Sequence, residues 1–591
     1  MDKRYEELLQ YVERPGRYIG GEINSVVKDW NTADLKIALA FPDLYDIGMS
    51  NLGGKILYHL LNSKDNILCE RVFSPWSDME KLLRDRNMPV FTLENNKSPR
   101  EFDIVGFSFS HELNYTNVLN ILDMSGIPLR SGERDESYPL IIAGGPCAFN
   151  PEPMADFIDV FIVGDGEEAV LELTESFISL KQKGLSKNRS VLFRELAKIE
   201  GAYIPSLYRA SYKDGRFDRL APLEEYAPPV IKKRLLKNLE TSFYPTRQIV
   251  PYIPIVHDRV SLEVMRGCPH RCRFCQATMI YSPVRLRSKD TVFQLGKTTQ
   301  MLTGHDEISL LSLSTADYPG VIDLLELLAG EFKPQGVSIS LPSLRIEDSI
   351  ENLPPLILKI KKTGLTFAPE VGSEKLRKFI NKNIDTDKLL RAAKRAYDLG
   401  WRKIKLYFMI GFPGETEEDV ASISKLTNDI LNLKDKERRI KADITVSVSS
   451  FIPKPHTIFQ WEAMEQNEIL RNKISQLRRS IKSGRVKVNA HSVDMSILEA
   501  IFSRGDRRLS VLIEAAYKKG ARFDGWKDVF RQDIWQESIA AYGIDVKSYL
   551  EKRKYTEPLP WDHISTGISK VALIKDNASA HEQAGITSCG H

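Results

Sequence analysis

Short, nearly continuous apolar runs punctuate the first third of the chain. Residues 35–40 read LKIALA, 104–109 IVGFSF, 140–143 LIIA and 160–163 VFIV. Runs of this kind, without polar alternation, predict strands covered on both faces. Helical periodicity follows at 51–61, 117–124 and 167–180. Alternating strands and helices predict an α/β domain over 35–186 with a mostly parallel, doubly wound (Rossmann-like) sheet, after a helix and connector at 1–34. Over 187–252 the pattern fades, and Pro222, Pro228, Pro229, Pro245 and Pro251 predict a connector. A second series, 253–464, has strands expected at 261–265, 308–313, 337–341, 365–368, 404–410 and 444–448. Six such strands with helices between them predict a partial (β/α)6 barrel, whose ligands lie beyond the strands' carboxyl ends. The remainder, 465–591, is charged and predicts a mainly helical region with a loose tail.

Composition narrows this picture modestly. A chain of 591 residues exceeds one ordinary core, and 42% hydrophobic with 27% charged residues describes a globular protein. No run approaches the ~18 apolar residues of a membrane span, and the charged start MDKRYEELLQ has no leader-like stretch, so a cytoplasmic protein is expected. The net charge of +4 and the short basic runs at 232–234 and 507–508 do not indicate a nucleic-acid partner. Six cysteines are too few for a disulfide scaffold, but three of them fall within eight residues. Cys69, Cys147 and Cys589 are scattered.

The cysteine segment is Glu263-Val-Met-Arg-Gly-Cys268-Pro-His-Arg-Cys272-Arg-Phe-Cys275-Gln276, directly after the first strand of the second series. Three thiolates from one short loop can take three corners of a cubane iron–sulfur cluster and leave one iron open for chemistry. The alternative is a zinc knuckle completed by His270 or a distant side chain. Zinc sites favour two spaced cysteine pairs, and a second pair is missing here. Cys-x3-Cys-x-aromatic-Cys, with Phe274 as the aromatic, resembles the signature of the radical S-adenosylmethionine (SAM) superfamily. The resemblance implies a [4Fe-4S] cluster on Cys268, Cys272 and Cys275, with SAM chelated to the open iron. It implies reductive cleavage of SAM to a 5′-deoxyadenosyl radical that takes hydrogen from a substrate. A low-potential electron donor of flavodoxin or ferredoxin type is the implied partner.

By the same resemblance Phe274, Ser314, Arg345, Glu370 and Gly411 contact SAM. Glu370 ends the fourth strand, where a carboxylate can accept from the ribose or amino group. Arg345 ends the third and would face the SAM carboxylate; the alternative for both is a surface salt bridge. Met409-Ile-Gly-Phe-Pro-Gly-Glu-Thr416 resembles a Gly-x-Pro-Gly-Glu-Thr turn of the superfamily, with Gly411 and Gly414 admitting a flat ligand and Thr416 capping the next helix. The chain departs from the superfamily at the end of strand two, where Gly-Gly-Glu is replaced by a stretch offering Ser314, Thr315 and Asp317. His456, in the segment 451–459 that resembles the barrel closure of cobalamin-type and methylthiolating members, reads as structural.

An α/β domain ahead of such a barrel resembles the cobalamin-binding arrangement. The positions that would meet a corrin or its tail are Tyr45, Gly48, Gly53, Ser108, Gly144, Gly145, Gly164 and Gly166, with Ser110 beside them. The Asp-x-His-x-x-Gly motif that supplies a lower histidine ligand is absent at Asp46-Ile-Gly48. A Rossmann-like domain serving docking or folding is the alternative. SRGDRR at 503–508, FDGW at 523–526 and PWDH at 560–563 resemble marks of one cobalamin-type subgroup; residues 504–508 either contact substrate or brace the barrel. Three functions follow: cobalamin-dependent alkylation, chiefly methylation, of a substrate the sequence does not name; methylthiolation of tRNA or protein; or a non-catalytic iron–sulfur or corrin sensor. Methylthiolation needs a further cluster on three upstream cysteines, and only Cys69 and Cys147 precede the loop.

Overall fold

Strands β1 (Leu35–Phe41), β2 (Ile67–Phe73), β3 (Ile104–Ser108), β4 (Leu140–Gly144), β5 (Val160–Ile162) and β6 (Ala202–Tyr203) form one sheet in the order β2-β1-β3-β4-β5-β6. All neighbours are parallel except β5 and β6. The strand order reverses between β1 and β3, and such a switch point opens a crevice at the carboxyl ends. The computed structural model describes residues 2–340, 365–382, 384–398, 400–433 and 442–586. The first sheet therefore runs past residue 186 into the expected connector, which also holds the helix Arg189–Leu196 and the hairpin of β7 (Tyr208–Lys213) and β8 (Arg216–Pro222). β9 (Ile231–Lys232) pairs with β19 (Ile564–Ser565), tying this stretch to the far end of the chain.

The second series begins with β10 (Val260–Glu263), which leads into a short antiparallel ladder of β11 (Met265–Arg266) and β12 (Arg285–Leu286). β10, β13 (Glu307–Leu311) and β14 (Ser338–Ser340) make a parallel sheet. β15 (Leu365–Glu370), β16 (Lys403–Ile410), β17 (Asp443–Ser450) and β18 (Val486–Ala490) make another. All six expected strands are present, and β18 is a seventh, inside the region expected to be helical. Ile404, Leu406, Phe408 and Ile410 of β16 bury against Leu389, Val420 and Leu470 of the flanking helices, the strand-to-helix packing of an α/β barrel.

The C-terminal region does more than follow the barrel. Leu498, Ile501, Phe502, Leu512 and Trp535, from helices Val493–Arg504, Leu509–Lys518 and Gln532–Tyr542, share the core of the first domain. The stretch expected as a loose tail carries the helix Lys570–Ala584, capped by Ser569 and burying Leu573 and Ala580 beside Phe379 and Phe459. No helix among the described residues is long and apolar enough to cross a membrane.

Candidate active site

The cysteine loop leaves the β11–β12 ladder at Gly267, whose φ of +93° places a would-be Cβ 2.9 Å from the Tyr281 carbonyl oxygen. Only glycine fits this neck without strain. Cys272 is buried, and Cys268 and Cys275 are half-buried. The Cys275 amide donates to the Cys272 carbonyl at 3.1 Å, and Cys275 sits at the N-cap of helix Gln276–Ile280. Between them Arg273 anchors the loop. Its guanidinium donates to the carbonyls of Lys378 and Phe379, both at 2.9 Å, and to Asp576 at 2.9 Å in the C-terminal helix. On the other flank Asn381 Nδ2 donates to the Arg271 carbonyl at 2.9 Å. His270 is engaged elsewhere, its Nε2 2.7 Å from Asp317. Among the described residues, His111, Glu112 and Glu499 bring ligand atoms within 4.8 Å of one another, a second polar cluster apart from the cysteine loop.

The positions expected to meet SAM divide. Phe274 lies 6.2 Å from Phe412, which stacks on Phe451 at 4.6 Å, so the loop meets the ends of β16 and β17. Glu370 ends β15 in a left-handed conformation (φ +67°) with its carboxylate 2.7 Å from Lys382 Nζ. Ser314 is buried and donates to Asp317, the carboxylate that also holds His270. Gly411 has a packing reason of its own: a Cβ there would lie 2.8 Å from Leu470 and 3.0 Å from Glu465. Its amide donates to Glu415 at 2.7 Å. Arg345 lies outside the described residues.

Over the carboxyl ends of the first sheet lies a cavity of about 520 Å³. Gly53, Ser108, Gly144, Gly145, Gly164 and Gly166 line it. Its floor is apolar, with Ile37 and Leu39 of β1, Ile142 of β4 and Val170 of the following helix. Two expected residues do not reach it. Tyr45 is buried with its hydroxyl donating to Glu22 at 2.8 Å, and a Cβ at Gly48 would meet the Phe73 ring at 2.3 Å; both belong to the core. The roof comes from the second series: Glu263, Met265, Arg266, Gly267 and Leu311. Arg266 closes the joint, with Asp165 at 2.9 Å, Glu167 at 2.7 Å and Glu263 at 2.9 Å. Arg285 pairs with the same Asp165. Burial alone would raise the Asp165 carboxyl, but these two guanidinium groups hold it below the usual carboxylate range.

Comparison with known proteins decides the family. Residues 262–427 match the family described as "Radical SAM superfamily", and residues 53–205 match "Radical SAM proteins, N-terminal". Over these two segments the chain is a radical SAM protein. This radical SAM protein is 29% identical to "Uncharacterized protein MJ0966" of Methanocaldococcus jannaschii, over 85% of this chain and 98% of the relative. It is 25% identical to the "Ribosomal protein uS12 methylthiotransferase RimO" of Thermus thermophilus, over 29% of this chain and 44% of that one. Its fold is similar to that of the radical SAM methyltransferase TsrM of Kitasatospora setae, solved with cobalamin and a [4Fe-4S] cluster bound. The TM-score is 0.50 at 12% identity, over 86% of this chain and 99% of that one.

Several residues that hold the radical SAM site together left no local trace in the sequence. Lys454 Nζ reaches Glu112 and Glu499, both at 2.7 Å, joining the segment after β17 to the end of β3 and to a C-terminal helix. Glu112 is 342 residues from Lys454 and Glu499 lies three elements further along the chain, so no spacing rule finds them. Two arginines of the 503–508 motif act as braces. Fully buried Arg504 donates to the carbonyls of Tyr549, Pro453, Gln460 and Glu551. Arg507 pairs with Glu152 of the first domain at 3.1 Å. His456, buried at 6% exposure, bonds through Nε2 to the Phe149 carbonyl at 2.8 Å and joins the two domains.

Proposed function

We propose that this enzyme holds a [4Fe-4S] cluster on Cys268, Cys272 and Cys275, binds SAM against Phe274 and Glu370, and carries cobalamin in the 520 Å³ cavity to alkylate a substrate between the two. One observation carries the reading: the cavity lined by glycine turns of the first domain is roofed by Gly267, the residue before the first cysteine. The donor set suits the groups proposed. Three thiols from one loop suit three corners of a cubane with one iron left for SAM, and an apolar floor with backbone-lined turns suits a large flat ring and its tail. When bound, the cluster and SAM supply the radical and the corrin supplies the methyl group. The chain's own residues orient these parts and keep them dry. Arg273 fixes the loop, Arg266 and Asp165 fix the roof to the first domain, and Lys382 orients the Glu370 carboxylate.

Methylthiolation, the activity in the name of the RimO relative, has the upstream cysteines against it. Cys69 is fully buried in β2 and Cys147 lies in the first domain's core, and burial pushes both thiols well above their ordinary pKa. Neither is a candidate to ligate a second cluster.

The test uses one position on the cavity wall. Gly106 lines the cavity from β3, and a Cβ there would sit 3.4 Å from Ile142 Cγ1, ordinary contact. A branched side chain at that position, which suits a strand, would fill the floor. Wild type incubated with hydroxocobalamin should retain a corrin spectrum through gel filtration, and Gly106→Val should lose it while keeping its iron and sulfide. Equal corrin retention by both proteins would move cobalamin out of this cavity, and none in wild type would remove it from the mechanism.

A further inference from the structure

The inner face of the barrel strands β15–β18 is polar, whereas the interior of a (β/α) barrel is ordinarily filled with branched apolar side chains. Burial alternates along β16. Ile404, Leu406, Phe408 and Ile410 face the helices, so Lys403, Lys405, Tyr407 and Met409 point the opposite way. β17 and β18 alternate in phase with it, because the parallel register sets Lys405 beside Thr445 and Thr445 beside Lys487. One row nearer the carboxyl ends, Tyr407, Ser447 and Asn489 stand side by side. The two lysines of the lower row are therefore two strand spacings apart, about 10 Å between Cα atoms, with a threonine hydroxyl between them.

Charge on this face is unbalanced. Asp443, below the row on the same side of β17, is taken by Arg485 at 3.3 Å. Lys405 and Lys487 are exposed and form no ion pair among the described residues. Two ammonium groups flanking a hydroxyl on one face of a sheet offer an anion two charge-assisted contacts and a hydrogen bond. Exposed strand residues on a protein's outer surface carry lysines for solubility, but these point away from the helical layer, into the barrel.

We propose that Lys405, Thr445 and Lys487 bind an oxyanion of the substrate, a carboxylate or a phosphate. The inference rests on the reading that the barrel is catalytic and adds the substrate's class. Lys405 lies four residues below Met409 on the strand, about 13 Å from the carboxyl end where the cysteine loop lies. The substrate is thus elongated, its reacting carbon at the strand ends and its anionic end down the barrel, against the lysines and the Tyr407–Ser447–Asn489 row.

Titration calorimetry on the reconstituted full chain, with SAM saturating, tests this with inorganic pyrophosphate and succinate as separate probes. Wild type should bind at least one of them at a single site, pyrophosphate if the group is phosphate and succinate if it is carboxylate. The Lys405→Gln/Lys487→Gln double variant should weaken that binding by about tenfold or more, as loss of two charge-assisted contacts requires. Lys425→Gln, on the exposed outer face of helix Glu417–Asn432, should bind as wild type does. Absence of binding by wild type, or equal affinity in the double variant, would overturn the assignment. SAM cleavage to 5′-deoxyadenosine should persist in the double variant, so a failed anion site and a failed radical reading give different results.

Discussion

Asp524 carries the clearest electrostatic signature of the fold at the scale of one residue. It is buried at 1% exposure, accepts from Trp535 Nε1 at 2.8 Å and from Thr116 at 2.7 Å, and forms no ion pair among the described residues. Desolvation outweighs these two bonds and raises the carboxyl from 3.8 to about 6. Between those values the folded chain holds a proton that the unfolded chain has released. The contribution to stability is therefore full below pH 4 and is lost as pH rises through 6, an effect of about 3 kcal/mol. Asp524→Asn should flatten that part of the curve, seen as melting temperatures that no longer fall between pH 4 and pH 6 relative to wild type. Cys272 makes the second residue-scale prediction. Cys272→Ala should abolish the cluster's visible absorbance, whereas Cys147→Ala should leave it intact, since that thiol is buried in the first domain's core.

Elements were legible where burial is plainly apolar and illegible where it is polar. β1, β3, β4 and β5 announce themselves as apolar runs, and β16 and β17 by apolar residues at every second position. β2 does not, because Ile67–Phe73 reads ILCERVF. Its charged pair is nonetheless buried: Glu70 takes Thr92 and Asn95, and Arg71 takes Glu22 and Glu94. β18 hides for the opposite reason, since VKVNA alternates and sits in a charged stretch. The cysteine loop was legible as a motif, but the Arg266 latch to Asp165 and Glu167 was not, its partners being about a hundred residues away. Removing that arginine strands buried carboxylates, which costs roughly 3–5 kcal/mol locally. Arg266→Gln should raise amide hydrogen exchange at 164–167 and at 267–275 together. A rise confined to one of these segments would mean that the latch does not couple them.

On the scale of the whole molecule, the C-terminal region is mortar between two domains. Arg504 and Arg507 brace the barrel closure and the first domain, and Trp526 Nε1 donates to Asp43 at the end of β1 at 3.0 Å. These contacts fix the cavity of the first sheet opposite the cysteine loop, which a flexible linker between domains would not do. The helix Lys570–Ala584 completes the frame, with His581 Nε2 2.8 Å from buried Glu462 and Asp576 on Arg273. Truncation before residue 570 should leave the first domain folded and lower the iron content of the barrel. The account turns on reductive cleavage of SAM at the cysteine loop. Anaerobically reconstituted protein with full iron and sulfide, given SAM and a low-potential reductant, should form 5′-deoxyadenosine, and Cys268→Ala should form none. Cluster-replete wild type that binds SAM and yields no 5′-deoxyadenosine would contradict it.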